Sequence, residues 1–383
     1  MGKLILKTEE DFENLVTGAT FFGTGGGGAQ EEGLRLLKRE AAAGNVIECV
    51  SPESILDDEW TICLSFMGNR APLTNEQKLK MDKLNLKNWR YENNLVAAAN
   101  LLADYSNIKI GAVVAPELGG ANTPGPLAAG VNLGVKVIDG DYAGRAVPEI
   151  AQVTPCLFGK PITPFASVDK WGNKAVVYET INSGLGERIG KMLAMAAFGN
   201  TGLAMFLIKA KEMKELIIAG TMTESYELGK IISGSDESNK DVLESILDYT
   251  KGWILFKGEV KEKQWAVEDG YYVGYHLFEG VNDFEGHGYR VWFKNENHVS
   301  WYDGKEDVAS PDLICQVETS TGMPITNHDL KKGQKVTLIG LKARSVHRKR
   351  NIVNFFNPRY FGFDIDYVPI EERIIQNKRQ AKI

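Results

Sequence analysis

The chain has 383 residues, 43% of them hydrophobic, and carries 44 Lys and Arg against 50 Asp and Glu. This length predicts roughly two or three domains, each with its own core. Because the net charge is −6 and acids and bases are interspersed, no nucleic-acid partner is expected. No apolar run approaches about 18 residues, so no membrane partner is expected either. Four scattered cysteines without a CxxC spacing predict neither a disulfide framework nor a zinc knuckle, and we expect a cytoplasmic protein.

The first 170 residues alternate helix-like and strand-like segments. The stretches TEEDFENLVTGAT and AQEEGLRLLKREAAAG have helical periodicity. Four short apolar runs follow, NVIECV, WTICLSFM, IKIGAVVA and VKVIDG, with helix-like segments between the last three. Continuous apolar strands separated by helices are typical of parallel sheets that are covered on both faces. The pattern therefore predicts an α/β N-terminal domain with a mainly parallel sheet.

The second half changes its pattern twice. Residues 181–250 have mainly helical periodicity, as in GLGERIGKMLAMAAFG, TESYELGKIISG and DVLESILDYTKG. From Trp253 onward, short β-like pieces follow one another every 10–20 residues, which is typical of a small antiparallel barrel or sandwich. We therefore predict an α/β domain over residues 1–170 and a C-terminal domain over residues 171–383. The second domain is expected to be helical to about residue 250 and then β-rich.

A glycine-rich stretch, FFGTGGGGAQEEG, precedes the second predicted helix and contains Gly25, Gly26, Gly27 and Gly28. A dinucleotide fingerprint requires a strand before such glycines, whereas the preceding segment here is helical. A phosphate-binding Walker loop would require Gly-Lys-Ser/Thr, which is absent, so no nucleotide cofactor is expected. Two explanations remain: the backbone N–H groups face a ligand, or the glycines are needed for close packing.

Polar residues follow three of the predicted strands. If those strands are parallel, their carboxyl ends share one edge of the sheet, where ligands bind in open α/β folds. The glycine-rich stretch can join that edge. The candidates at the three strand ends are Asn69, Glu117, Asn122, Asp139, Asp141, Arg145 and Glu149.

The third of these loops, IDGDYAGRAVPE, holds two carboxylates two positions apart. Asp139 and Asp141 are able to share a divalent cation, which is the one cofactor that these residues suggest, or to divide acid and base roles. Alternatively, Asp139 forms a turn, and Asp141 or Glu149 pairs with Arg145. All five histidines lie in the last third of the chain, so a site within the N-terminal domain must use other groups. Near the C-terminus, Arg359 is a candidate to face the cleft between the domains.

Several strings together resemble the S-methyl thiohydantoin desulfurase family: GTGGGG, PELGGANTPGPLAAG, IDGDYAGRAVPEIAQ, SPDLICQVETSTGMPI and NPRYFGFDIDYVPI. The resemblance runs from about Phe12 to Glu371. It implies an α/β domain followed by a β-rich domain, and a hydrolase that releases methanethiol from a small S-methylated thiohydantoin. Such proteins are often encoded beside hydantoinase-type proteins. Val147 and Asn357 depart from the family pattern, which usually has an aromatic residue and a glycine there.

The resemblance carries functional roles over to the motif residues. Asp139 or Asp141 would deprotonate the attacking water, while the glycine-loop amides, Asn122 or Arg145 would hold a substrate oxygen. We predict catalytic roles for Asp139, Asp141, Glu117 and Arg145, and substrate contacts for Gly25, Gly26, Gly27, Gly28, Asn69, Asn122, Glu149 and Arg359.

Two other functions are compatible with the same residues. One is a metal-dependent ring opening of hydantoin or a lactam, with the metal on Asp139 and Asp141. The other is a non-catalytic accessory subunit of a hydantoinase-type complex. A homo-oligomer is expected in each case, because most soluble oligomers are homo-oligomers.

Overall fold

The structure, a computed structural model, describes residues 3–68, 73–234 and 241–377. Within these ranges the helices are α1 (Glu9–Phe22), α2 (Gln30–Ala42), α3 (Asn75–Lys83), α4 (Asn94–Ser106), α5 (Pro124–Asn132), α6 (Thr154–Leu157), α7 (Ser183–Ala196), α8 (Ala210–Leu216), α9 (Thr221–Ile232), α10 (Val242–Thr250) and α11 (Ile370–Gln376). The strands of a first sheet, sheet A, are β1 (Leu4–Leu6), β2 (Ile47–Val50), β3 (Trp60–Gly68), β4 (Ile110–Ala115), β5 (Lys136–Asp141), β6 (Phe165–Asp169), β7 (Lys174–Val177), β8 (Asn200–Lys209) and β9 (Ile218–Ala219). Those of a second, sheet B, are β10 (Trp253–Glu268), β11 (Tyr271–Gly280), β12 (Gly288–Lys294), β13 (Glu296–Tyr302), β14 (Lys305–Ala309), β15 (Leu313–Glu318) and β16 (Lys335–Leu341).

The centre of sheet A is parallel. Strands β2, β5, β4 and β3 lie side by side in that order and run in one direction, and they are the four apolar runs of the sequence. Alternate residues of β3 enter different cores: Ile62 and Leu64 pack with α4, whereas Cys63 packs on the opposite face. Burial on both faces explains why these strands are continuously apolar.

Antiparallel strands flank this parallel centre. β1 extends one side, and β8, β6 and β7 extend the other, while β9 pairs with β5. Strand β8 lies in the otherwise helical stretch after residue 181, where its apolar run TGLAMFLI pairs with β3. Sheet A therefore continues past residue 170, to Ala219 in β9.

Sheet B is antiparallel throughout, in the order β14-β13-β12-β11-β10-β16-β15. Helix α1 packs Leu15 and Val16 into one core with Leu313 and Cys315 of β15, so the two domains share a hydrophobic contact. The predicted fold class, an α/β domain followed by a β-rich domain, is confirmed. In the described ranges, no helix combines the length and the apolar character that crossing a bilayer requires.

Candidate active site

A cavity of about 140 Å³ lies where the carboxyl ends of β3 and β4 meet the C-terminal domain. Its polar lining comes from both domains and consists of Glu32, Ser65, Glu117, Asn122, Glu149, Glu187, Lys191, Asn200, Asn295, Glu296, Thr326 and His328. Gly25 to Gly28, the carboxyl end of β3 and several apolar residues form the rest of the wall. An engineered apolar cavity of about 150 Å³ holds a benzene ring, so this volume suits a small heterocycle.

Glu117 follows β4 directly, and its side chain is only 6% exposed. Its Oε1 accepts a hydrogen bond from Asn122 Nδ2 at 2.7 Å, and its Oε2 accepts one from the Val147 amide at 2.7 Å. Burial raises the pKa of Glu117 to about 7, although both hydrogen bonds act in the opposite direction. A carboxyl group with that pKa exchanges protons readily at neutral pH.

The loops around Glu117 tie together the carboxyl ends of the three predicted strands. Asn122 Oδ1 accepts a hydrogen bond from the Phe66 amide in β3, at 2.9 Å. The Leu118 amide donates to the Arg145 carbonyl, in the loop after β5, at 3.2 Å. Asn122 and Glu117, which the sequence predicted, therefore do lie together at the strand ends. Asn122 is held by β3, and Glu117 is held by the loop after β5.

The glycine loop is packed between the two domains. A Cβ atom on Gly26 would lie 1.9 Å from Glu296 Oε1, and one on Gly27 would lie 2.5 Å from the Gly119 Cα. The Gly27 carbonyl accepts hydrogen bonds from the Ala121 and Asn122 amides at 3.0 and 3.1 Å. Close packing therefore requires glycine in this loop. Among the described residues, no acceptor receives the N–H groups of Gly25, Gly27 and Gly28, so these donors are also available to a ligand.

Helix α7 contributes an acid and a base that the sequence patterns did not reveal. Lys191 is 5% exposed, and its ammonium lies 3.6 Å from Glu187 Oε1 and 3.7 Å from the centre of the Tyr271 ring. Within the described residues, no acceptor lies at hydrogen-bond distance from Lys191 Nζ. Glu187 itself accepts hydrogen bonds from the Ile150 amide and the Tyr271 hydroxyl. The sequence did contain one signal for this pair: Glu187 and Lys191 are four positions apart in a segment predicted to be helical, so their opposite charges lie on the same face of the helix.

The C-terminal domain supplies the rest of the polar lining, which the sequence patterns did not reveal either. Asn295 and Glu296 lie at the tip of the β12–β13 hairpin, and Thr326 and His328 lie in the loop before β16. The cavity therefore has an imidazole, even though the N-terminal domain has none. No local motif marks these residues, because they reach the cavity only through the packing of the domains.

Asp139 and Asp141 are not among the described residues that line the cavity. Asp139 accepts hydrogen bonds from the Met222 and Thr223 amides and from the Thr223 hydroxyl, at the N-terminus of α9. Asp141 is fully buried and accepts from the Ala143 and Gly144 amides and the Thr221 hydroxyl. Burial raises the pKa of Asp141 to about 6, against those three bonds. Both carboxylates thus fasten the start of α9 to the end of β5.

The other predicted residues are dispersed. Arg145 is fully buried outside the cavity lining, and its guanidinium donates to the carbonyls of Ala146 and Pro311. Glu149 lines the cavity and is bonded to Lys294 and to the Tyr360 hydroxyl.

Arg359 is not among the described residues that line the cavity. It is exposed and pairs with Asp364 and Asp366 at 2.6 and 2.9 Å. Asn69 lies outside the described residues.

The geometry offers little to a metal ion. The described residues contain no group of three or more His, Cys, Asp or Glu side chains arranged to hold one. The oxygens of Asp139 and Asp141 already accept hydrogen bonds from N–H and O–H groups, which point hydrogen atoms where a cation would sit. These two carboxylates therefore do not fit the divalent site for which they were candidates.

Comparison with known proteins covers almost the whole chain. A family model described as "S-Me-THD-like, N-terminal domain" matches residues 10–179, and one described as "S-Me-THD-like, C-terminal domain" matches residues 182–370. The X-ray crystal structure of a protein from Chromobacterium violaceum superposes with a TM-score of 0.76 at 23% identity, over 97% of this chain and 100% of that one. At this identity the likeness extends to the fold alone. No curated protein matches the chain.

Proposed function

Because the chain belongs to the S-methyl thiohydantoin desulfurase family, we propose that it hydrolyses a small S-methylated thiohydantoin to a hydantoin and methanethiol. The observation that carries this proposal is the buried carboxyl group of Glu117, directly after β4. It borders a ring-sized cavity, and its pKa is raised to about 7. The reaction needs a base for water near neutral pH, and Glu117 has the required environment.

The reaction begins when water adds to the ring carbon that bears sulfur. As the new C–O bond forms, the C=N double bond opens toward the ring nitrogen, Glu117 removes one proton from the water, and the carbon becomes tetrahedral. The C–S bond then breaks as the C=O bond forms, the second water proton moves from the oxygen to the ring nitrogen, and sulfur leaves as methanethiol after gaining one proton. General base catalysis of this kind typically accelerates a reaction by about 10²–10⁴-fold.

We assign the role of general base to Glu117, whereas the sequence motifs suggested Asp139 or Asp141 for this role. The hydrogen bonds of the two aspartates explain this choice, because their oxygens already serve α9 and the neighbouring backbone. Glu117 has two donors as well, but it also borders the cavity. A base must reach the proton that it removes, and proximity to the cavity is therefore the first criterion.

Other donors that line the cavity suit the polar groups of such a ring. The N–H groups of Gly25, Gly27 and Gly28 are available to the ring carbonyl oxygen or to the nitrogen that carries charge in the intermediate. Lys191 offers a buried ammonium for an oxygen or a carboxylate on the substrate. Preorganised donors of this kind stabilise a developing charge by about 3–4 kcal/mol each.

The proposal is tested by incubating the purified protein with an S-methyl thiohydantoin, with and without a carboxylate side chain, and measuring methanethiol and the hydantoin product. Release in the presence of chelator, and its loss in Glu117→Gln, are the expected results. Release that stops on chelation would favour a metal-dependent reaction. Absence of release from folded protein would overturn the proposal. The cytoplasmic location, the homo-oligomer and the hydantoinase-type partner remain predictions.

A further inference from the structure

Glu296 is a second buried carboxyl group at the same cavity, and it comes from the other domain. Its side chain is 2% exposed and borders the cavity together with Glu117. Among the described residues, its Oε2 has no hydrogen-bond partner. A buried carboxyl oxygen left without a partner is costly, unless a ligand or a water in the cavity satisfies it.

The position of Glu296 is fixed from several sides. It begins β13, directly after Asn295, whose backbone N–H and side-chain oxygen bond to Tyr272 of β11 at 2.7 and 2.9 Å. The Asn295 carbonyl accepts a hydrogen bond from Asn327 Nδ2 at 2.8 Å. On the other side, Glu296 Oε1 fills the space next to Gly26. The backbone that carries Glu296 is therefore fixed, and its carboxyl group is confined beside Gly26 at the cavity, as positioning on a bound substrate requires.

The buried charges nearest to Glu296 are balanced when Glu117 and Glu296 share one proton. Lys191 pairs with Glu187, and Lys294 pairs with Glu149. The remaining buried cation is Arg145, and no described carboxylate lies within ion-pair distance of it. One proton on the Glu117–Glu296 pair leaves one negative charge to balance the guanidinium.

The proton belongs on Glu296. Burial, and then the Glu117 carboxylate, raise the pKa of Glu296 well above its usual range, while Arg145 and Lys191 only partly oppose this. Glu117, in contrast, accepts two hydrogen bonds that favour its ionised form. Two carboxyl groups in unequal environments divide into an acid and a base.

We propose that Glu296 is the general acid of this site and gives its proton to the sulfur of the departing methanethiol. The inference rests on the proposed function. In the step, the C–S bond breaks, its electron pair stays on sulfur, and the Glu296 O–H proton moves to that sulfur. Glu117 has meanwhile taken a proton from water. Transfer of one proton from Glu117 to Glu296, through water in the emptied cavity, restores the starting state.

The experiment compares leaving groups of different acidity in wild type and Glu296→Gln. With an S-methyl substrate, the variant should lose about 10²–10⁴-fold in kcat/KM, because methanethiolate leaves poorly without a proton. With an S-(2,2,2-trifluoroethyl) substrate, whose thiol is much more acidic, the loss should be less than about tenfold. Glu268→Gln, an exposed position on β10, is the matched control and should leave both rates unchanged.

Unfolding in urea reports on the same carboxyl group without turnover. If Glu296 is protonated, Glu296→Gln replaces one neutral group by another, and the unfolding midpoint should match that of wild type. A large fall in the midpoint would identify Glu296 as an ionised partner of Arg145 and overturn the inference. Gly26→Ala, which pushes against Oε1, should reproduce the leaving-group effect in protein that folds.

The two proposals fail in different ways. If wild type releases methanethiol and Glu296→Gln loses nothing, or loses equally with both substrates, then Glu296 is not the acid and the proposed function stands. If folded wild type releases no methanethiol, the proposed function is overturned, and the role of Glu296 in it is overturned too.

Discussion

Two pairs of buried carboxyl groups lie close to the carboxyl edge of sheet A, and they differ in what occupies their oxygens. Asp139 and Asp141 receive six hydrogen bonds between them, from the start of α9 and from the loop after β5. Glu117 and Glu296 border a cavity, and one Glu296 oxygen has no partner among the described residues. The first pair resembles structural cross-links, and the second pair retains capacity for a ligand.

The difference shows that a dense acidic motif is not in itself evidence of catalysis. The sequence DGD places two carboxylates at the end of a strand, where a ligand commonly binds. In the structure the same strand end also meets α9, whose free amide groups need acceptors. Helix α9 in turn packs closely on α1, because a Cβ atom on Gly18 would lie 1.7 Å from the Ser225 carbonyl oxygen. The aspartates thus help to fix the helix layer behind the site.

The largest expected effect tests the cavity pair. Glu117→Gln should lower kcat for methanethiol release by about 10²–10⁴-fold, because the variant cannot accept a proton from water. Glu31→Gln, on the exposed first turn of α2, serves as the control and should keep the wild-type rate. Steady-state assays of both variants make the comparison. If the Glu117→Gln protein is as active as wild type, Glu117 is not the general base.

The next effect tests the aspartate pair. Asp141→Ala leaves the Ala143 and Gly144 amides and the Thr221 hydroxyl without their acceptor, so the free energy of unfolding should fall by about 3 kcal/mol. The kcat of the folded fraction should fall by less than about tenfold. Urea unfolding and active-fraction assays measure the two quantities. If Asp141→Ala keeps the wild-type stability but loses as much rate as Glu117→Gln, Asp141 is the base and Glu117 is not.

The pH dependence of the rate distinguishes a base from a purely structural carboxyl group. Because Glu117 acts as a base only when ionised, kcat/KM should rise about tenfold per pH unit up to a pH of about 7 and then level off. The free energy of unfolding should instead fall as the pH rises over this range. The folded-state pKa lies above the usual 4.5, so the contribution of the protonated group is fully present below about 4.5 and is lost as the pH rises through about 7. A rate profile without this limb contradicts the assignment.

The smallest effect concerns Asp139. Asp139→Asn keeps one oxygen acceptor for α9 but loses the negative charge at the helix N-terminus, so the unfolding free energy should fall by only about 1 kcal/mol. Thermal unfolding of the variant measures this change. Methanethiol release should remain close to the wild-type rate, and a rate loss without a stability loss would place Asp139 in the catalytic machinery.

The sequence alone determined the fold class and one wall of the site. Buried parallel strands must be apolar along their whole length, and local periodicity therefore located β2, β3, β4 and β5. Their parallel arrangement brought Glu117 and Asn122 to the predicted edge. The glycine-rich stretch was likewise visible in the sequence, but the sequence left open whether it serves a ligand or close packing.

The tertiary structure decided which acids have spare oxygens and which residues close the cavity. The hydrogen bonds of Asp141 depend on Thr221, 80 positions away along the chain. Glu296 and His328 reach the cavity because α1 packs sheet B against the first domain. Hydrogen-bond satisfaction and desolvation depend on such long-range contacts, whereas strand and helix patterns depend on neighbouring residues. A sequence pattern therefore indicated the sheet edge that borders the cavity, and only packing determined which carboxyl groups face it.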